Sequence, residues 1–449
     1  MPGHTDTIAA LATPTGTSAI AVIRTSGPDT PAIAAALCGR PPLPRTACCA
    51  DYRAIDGELL DAVLLTWFQG PKSYTGEDVL EICCHGNPFI AQRILEDLFA
   101  RGCRPAGPGE FTQRAFLNGK LELTEAEAVM DLIRASSERA LAAANQQLRG
   151  GLARRLAIIS RSTLSILAQI EAYIDFPEED LPPEDLTKIF SGLGIIILDI
   201  NRLLSTERFG SILRDGLTVV ILGAPNAGKS SLLNRLVGRE RALVSSEAGT
   251  TRDFIEERIH IGRHSAKLID TAGINPRPTP IERLGIAKTM EQLEAADIVL
   301  LVIDSSTDTA LHSAQNQMTP SDRTIVVLNK SDLPLARIDT LALHGKTTAA
   351  VSALTGLGIE ELKSAICDMA DIHRYDAGDG IAINSRHAHA LKLANQLLVD
   401  ASAKLRTKNL IELVSSDLRE ALSVLGEISE GYSHHQLLDE LFVKFCIGK

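Results

Sequence analysis

The spacing of apolar positions along this chain changes several times, and each change marks a different kind of structure. Up to about residue 118, short β-type runs (Ala19 to Arg24, Ala62 to Phe68, Asp78 to Cys84) surround a helical stretch near Phe89 to Ala100. That mixture predicts a compact α+β domain. From Leu121 the period lengthens to that of a helix. Thr124 and Glu127 have the spacing of a capping box, and an Ala- and Leu-rich pattern runs toward Tyr173, interrupted at Gly150 and Gly151. Asp175 to Asp185 is acidic and contains prolines, as a solvated linker does.

Leu217 to Leu222 is apolar but for Thr218, the pattern of a central strand buried on both faces. Similar runs recur at Lys267 to Asp270, Ile298 to Asp304, Thr324 to Leu328 and Ala349 to Ser352, with helical segments between them. Strands alternating with helices predict a parallel sheet with crossovers and helices on both faces. After Ile372 the pattern is helical again, with Ser433 and Gln436 capping a final amphipathic helix through Phe445. The predicted fold is therefore multi-domain, α/β plus α. It has an amino-terminal α+β domain (1–118), a helical domain split into 119–213 and 374–449, and an α/β domain (214–373) inserted in it. An insertion requires its two ends to lie close together.

Length and composition agree with this division. At 449 residues the chain exceeds one core of ~150 residues. Its 45% hydrophobic and 22% charged content is that of a globular protein. The formal charge of −11 argues against gripping nucleic acid by overall field. No basic leader precedes the first apolar stretch, and no segment approaches ~18 uninterrupted apolar residues, so the expected compartment is the cytoplasm, with no membrane span. None of the eight cysteines has CxxC spacing. Cys83, Cys84 and His85 are adjacent, and on a strand neighbouring side chains point to opposite faces, which disfavours a metal site there.

The inserted domain carries the chemistry. Gly223-Ala-Pro-Asn226-Ala227-Gly228-Lys229-Ser230 fits GxxxxGK[ST] between a strand and the helical run starting at Ser231. The glycines let backbone N–H groups approach phosphates, Lys229 reaches toward the β- and γ-phosphates, and Ser230 ligates magnesium. Asn329-Lys330-Ser331-Asp332 ends a later strand. The Asp332 carboxylate can accept from guanine N1 and its amino group, a donor pair that adenine lacks, so the nucleotide is GTP. Ser352-Ala353-Leu354 braces the base through backbone N–H groups. Asp270-Thr271-Ala272-Gly273 puts Asp270 in the outer magnesium shell and Gly273 near the γ-phosphate. In Gly249-Thr250-Thr251, the Thr251 hydroxyl is a second magnesium ligand. Both loops are candidate switches.

Hydrolysis needs an oriented water and something to neutralise developing charge. Ile274 follows Asp-Thr-Ala-Gly where many signalling GTPases place Gln. Glu282 is the candidate for positioning water, and the residues alone fit a solvated surface carboxylate equally well. A monovalent cation could sit between the Asn226 side-chain oxygen and the carbonyls of Ser245, Ser246, Glu247, Ala248, Gly249 and Thr250.

Four blocks add a resemblance: Asp6-Thr-Ile-Ala-Ala-Leu-Ala-Thr-Pro14, Tyr74-Thr-Gly-Glu-Asp78, Pro108-Gly-Glu-Phe-Thr-Gln-Arg-Ala-Phe-Leu-Asn-Gly-Lys120 and Phe445-Cys-Ile-Gly-Lys449. With the inserted α/β domain, the chain resembles the bacterial tRNA-modification GTPases of the MnmE (TrmE) type over nearly its whole length. The resemblance implies an amino-terminal domain that dimerises and binds 5,10-methylene-tetrahydrofolate (5-formyl-tetrahydrofolate as analogue) through Arg24, Glu81, Lys120 and Lys449. It implies potassium held by Asn226, Ser245, Glu247 and Thr250, Glu282 as catalytic Glu beside Lys229, and Cys446 as a candidate nucleophile, a buried helix-end thiol being the alternative. Asn275 departs from the pattern, since relatives commonly have Arg there.

The implied reaction is aminomethyl or carboxymethylaminomethyl addition at carbon 5 of the wobble uridine of certain tRNAs. It would be performed by a homodimer in a heterotetramer with a flavin-containing partner of the MnmG (GidA) type that carries FAD. A ribosome-associated assembly GTPase and a regulatory GTPase switch are the alternatives. The first predicts basic clustering that this sequence lacks, and the second leaves the amino-terminal blocks and the tail without a purpose.

Overall fold

A computed structural model describes residues 6–175, 183–238, 255–270, 291–307, 321–335, 347–372, 380–406, 411–429, 441–443 and 445–448. The chain forms two compact units, one of Met1–Met130, Leu148–Ser165 and Leu418–Lys449, the other of Asp131–Gln147 and Ile166–Asp417.

The first unit is built on a six-stranded sheet. In chain order its elements are β1 (Ile8–Leu11), β2 (Ile20–Ser26), α1 (Thr30–Cys38), β3 (Ala47–Arg53), β4 (Leu59–Phe68), β5 (Val79–His85), α2 (Pro88–Ala100), β6 (Arg104–Pro105) and α3 (Glu110–Leu117). The strand order is β3-β4-β5-β2-β1-β6, antiparallel except for the β1–β6 pair. Alternation along the strands decides which face is covered. In β5, Leu80, Ile82 and Cys84 join Ile23, Leu65, Ile33, Ile94 and Leu98 in one core, while Glu81, Cys83 and His85 lie on the other face. Cys83 and Cys84 therefore do point apart.

Next comes α4 (Leu123–Arg134). The sequence placed a capping box at Thr124 and Glu127, but Thr124 lies inside this helix and is buried. The N–H of Glu122 is taken instead by the Glu125 carboxylate at 3.0 Å, and Ala126 N–H donates to the Glu122 carbonyl. Leu123 explains the earlier start: it packs with Ala126, Met130, Phe442 and Phe445, so the first turn is drawn into a core.

Helices α5 (Glu138–Leu148) and α6 (Gly151–Asp175) are separated at Gly150, whose φ of +74° fits the expected interruption. The acidic linker lies largely outside the described residues, as do Ser433 and Gln436. In the second unit, α7 (Pro183–Ser205) buries Ile189, Leu193, Ile196, Ile200 and Leu203. It packs against a helix beyond the sheet, Ser385–Lys404, that buries Leu391, Ala394 and Leu398. Leu186–Asp215 is the one described stretch long and apolar enough to cross a membrane by length and composition, and its buried row is part of this packing.

The second sheet follows α8 (Glu207–Asp215). It comprises β7 (Leu217–Gly223), β8 (Ile255–Ile261), β9 (His264–Asp270), β10 (Ile298–Asp304), β11 (Thr324–Asn329) and β12 (Thr347–Ala350), in the order β12-β11-β10-β7-β9-β8. Five strands are parallel, and β8 adds an antiparallel edge by hairpin with β9. Leu217, Val219 and Ile221 face one core with α9 (Lys229–Val237) and α10 (Ile359–Ile372), while Val220 and Leu222 face a second core. Burial on both faces explains the apolar run Val219 to Leu222. Beyond this sheet lie α11, the helix Ser385–Lys404, and α12 (Ile411–Ser429).

Candidate functional site

The carboxyl end of β7 and the amino end of α9 form a loop shaped by close approach. A Cβ at Gly223 would stand 2.4 Å from the Val302 carbonyl oxygen, and one at Gly228, where φ is +94°, 2.2 Å from Asn329 Nδ2. Asn226 holds a φ of 64°, a left-handed conformation that Asn tolerates better than most residues. The glycines thus serve the backbone itself, and the N–H groups that begin α9 open onto the loop.

Lys229 is 9% exposed, and its Nζ donates to the carbonyls of Gly223 at 3.1 Å and Ala224 at 3.0 Å. Burial pushes its pKa down, and nearby Asp270 acts in the opposite direction. Ser230 Oγ donates to Asp270 Oδ2 at 2.8 Å, while Asp270 Oδ1 is buried with no hydrogen-bond partner. A hydroxyl beside a carboxylate oxygen with no donor is an oxygen set suited to a hard divalent cation, so these residues fit magnesium.

Asn329 ties this loop to the base region. It is 2% exposed; its Nδ2 donates to the Ala227 carbonyl at 2.9 Å, and its Oδ1 accepts from Ala353 N–H at 3.1 Å. Lys330, at φ 63°, donates from Nζ to Asp304 Oδ2 at 2.5 Å. Burial raises the Asp304 pKa, but hydrogen bonds from Lys330 and Ser306 outweigh it and hold the carboxyl below its usual range. Next to these residues is a cavity of about 650 Å³ lined by Gly228, Ser231, Asn329, Lys330, Asp332, Ala353 and Leu354, with Asp332 exposed at its wall. Ser352 is buried, accepting on Oγ from Thr355 N–H at 3.1 Å.

The structure therefore gathers Asn226, Ala227, Gly228, Lys229, Ser230, Ser231, Asp270, Asn329, Lys330, Asp332, Ser352, Ala353 and Leu354 at one end of the sheet. Ser245, Ser246, Glu247, Ala248, Gly249, Thr250, Thr251, Thr271, Ala272, Gly273, Asn275, Glu282 and Lys449 lie outside the described residues. Sequence reasoning missed Arg235, Asn234 and Asp304. Arg235 and Asn234 line the cavity, and Asp304 partners Lys330. The only signal for Arg235 and Asn234 is their position on the exposed side of α9.

In the first unit, Arg24 and Glu81 are register partners across β2 and β5 and form an ion pair at 2.7 Å. The Arg24 guanidinium lies 5.7 Å from the Tyr74 ring centroid and 5.8 Å from that of Phe111, two contacts the sequence did not reveal. Lys120 Nζ donates to the Pro71 carbonyl at 3.0 Å.

The four sequence blocks meet here. Arg114, fully buried, bonds Asp6 at 2.9 Å, Glu77 at 3.2 Å and Glu110 at 2.9 Å, which joins the first three blocks. The tail completes the set. Ile447 bridges to Pro108, Gly109 N–H donates to the Cys446 carbonyl at 3.3 Å, and a Cβ on Gly448 would stand 2.2 Å from the Leu11 carbonyl oxygen. Cys446 is exposed, which removes the buried-thiol alternative.

Comparison with known proteins gives two family models: the GTP-binding protein TrmE N-terminus over residues 7–120 and the MnmE helical domain over residues 123–446. Similar full-length proteins include the tRNA modification GTPase MnmE of Opitutus terrae, 54% identical over 454 residues and covering 100% of each chain. That of Akkermansia muciniphila is 42% identical over 99% of each. Among solved structures, the G domain of the T. maritima FeoB iron transporter is 26% identical, covering 34% of this chain and 98% of its own, with a TM-score of 0.28. The FeoB G domain of Methanococcus jannaschii is 25% identical with the same coverage and a TM-score of 0.27.

Proposed function

The chain belongs to the MnmE family of tRNA modification GTPases, and from that premise we propose that it hydrolyses GTP at the end of the second sheet to drive wobble-uridine modification. The observation that carries this reading is Asn329, which joins the phosphate loop at Ala227 to the base-side loop at Ala353. One buried amide thereby fixes the spacing between the subsites for phosphate and base.

In the proposed mechanism, backbone N–H groups from Asn226 to Ser231 cradle the phosphates, and Lys229 exchanges its two carbonyl partners for β- and γ-phosphate oxygens. The Asp332 carboxylate accepts from guanine N1 and its amino group. Magnesium would be held by Ser230 and Thr251 with Asp270 behind them, and when bound it neutralises charge on the β- and γ-oxygens. Potassium would be held by Asn226, Ser245, Glu247 and Thr250 and would supply fixed positive charge beside the transferring phosphoryl group. Glu282 orients the attacking water.

We assign residues 1–118 to a dimerisation and folate domain, 119–213 and 374–449 to a helical domain, and 214–373 to the inserted GTPase. Packing of α7 on the helix after the sheet supports the split. Arg24, Glu81, Lys120 and Lys449 would bind 5,10-methylene-tetrahydrofolate, whose one-carbon unit the reaction consumes. Stacking on Tyr74 and Phe111 supports this by fixing the direction of Arg24. Cys446 is exposed and available as a nucleophile. The protein would act in the cytoplasm as a homodimer with an FAD-containing partner on tRNA. Hydrolysis in potassium against sodium at equal ionic strength tests the GTPase mechanism: strong potassium stimulation is expected, and equal rates would remove the cation from it.

A further inference from the structure

Arg235 takes no part in the motifs above, yet it occupies an instructive place. It projects from the exposed side of α9, six residues after Lys229, while Leu232, Leu233 and Leu236 on the opposite side are buried. Its Nε donates to the Ala353 carbonyl at 3.1 Å and its Nη2 to the Leu354 carbonyl. Its guanidinium lies along the turn at Gly356, where φ is +93°: a Cβ added there would stand 3.4 to 3.6 Å from Cζ, Nη2 and Nε. A rigid fork with several donors can bind two successive carbonyls in this way, whereas a single ammonium cannot do so with the same direction.

The consequence follows from peptide geometry. In a planar trans peptide the C=O and N–H point in opposite directions. Holding the Ala353 carbonyl therefore aims the N–H of Leu354 away from Arg235. The neighbouring N–H groups are already committed, that of Ala353 to Asn329 Oδ1 and that of Thr355 to Ser352 Oγ. Among the described residues none accepts from Leu354 N–H. Leu354 lines the same cavity as Asp332, and its residue is 79% exposed.

We propose that Arg235 is a positioning residue for base recognition, fixing the Leu354 N–H as the donor to guanine O6. This rests on the assignment of the cavity as the guanine site. Adenine carries an amino group where guanine has O6, so a donor fixed there rejects adenine, complementing Asp332 at N1 and the 2-amino group.

The test uses the full-length protein with Arg235→Ala and Arg235→Lys and three nucleotides: GTP, inosine triphosphate and 2-aminopurine riboside triphosphate. The first two carry O6 and the third does not. Arg235→Ala is expected to raise KM about fivefold for GTP and for inosine triphosphate, the worth of one neutral hydrogen bond, with kcat unchanged. The KM for the 2-aminopurine nucleotide should not move, and Arg235→Lys should recover part of the loss. Equal KM increases for all three nucleotides, or none for any, would overturn the proposal. Failure of the underlying site is separable, because the parent protein would then show no preference for GTP over ATP.

Discussion

Replacing Asn329 by Ala removes two hydrogen bonds at once and keeps the backbone. The lost groups are the donor to Ala227 O and the acceptor for Ala353 N–H, both inside the protein, and Ala227 is itself 2% exposed. Each buried group left without a partner costs about 1 to 3 kcal/mol. Water from the adjoining cavity can offset part of this, so the sum is about 2 to 4 kcal/mol. In affinity terms that is about thirty- to a thousandfold if the whole loss falls on the nucleotide-competent arrangement. Because the chain has more than one unit, a single global unfolding curve is a poor readout. Hydrogen exchange of the β10 and β11 amides, with and without GDP, reports the local opening free energy. Asn329→Ala should lower protection there and weaken GDP binding at least tenfold. Asn329→Asp should do no better, since it sets a carboxylate oxygen against the Ala227 carbonyl. Protection within about 0.5 kcal/mol of the parent, together with GDP binding within twofold, would refute the bridge.

Two further predictions test other parts of the structure. Gly223→Ala places a methyl 2.4 Å from the Val302 carbonyl on a central strand, so hydrogen-exchange protection of the β7 and β10 amides should fall and GDP should not restore it fully; unchanged protection would contradict the packing. Asp371, bonded to Arg139, Arg263 and His264, has its pKa lowered to about 2: burial works to raise it, and the two arginines outweigh that. A depressed carboxyl stabilises the fold above the unfolded value of 3.8 and loses that contribution as pH falls through about 2, a span worth about 2 kcal/mol. Asp371→Asn should therefore lower the local opening free energy of the β9 amides, read by hydrogen exchange, most above pH 4 and converge on the parent near pH 2, and a difference that grows with acidity would be the wrong sign.

What the sequence made legible was set by covalent neighbours. The phosphate loop and Asn329 to Asp332 are runs of adjacent residues whose spacing survives folding, and β7 and β10 announce themselves by being apolar on both faces. Contacts between distant positions were not legible. Arg235 meets Ala353 across 118 residues and Arg114 meets Asp6 across 108, and no local pattern records either pairing. Strand β8 escaped because Ile255-Glu-Glu-Arg-Ile-His-Ile261 reads as polar, a half-solvated edge rather than a buried strand. The start of α4 was misplaced because burial of Leu123 against Phe442 and Phe445 outweighed local capping chemistry.

Nucleotide competition on Asp332→Asn tests the central claim most directly. An Asn amide can donate to the 2-oxo group of xanthine where the carboxylate accepts from the 2-amino group of guanine. If the cavity beside Asn329 is the guanine site, this variant loses GTP hydrolysis at low nucleotide and gains it with xanthosine triphosphate. Retained GTP preference over both xanthosine triphosphate and ATP would place base recognition elsewhere and contradict the account.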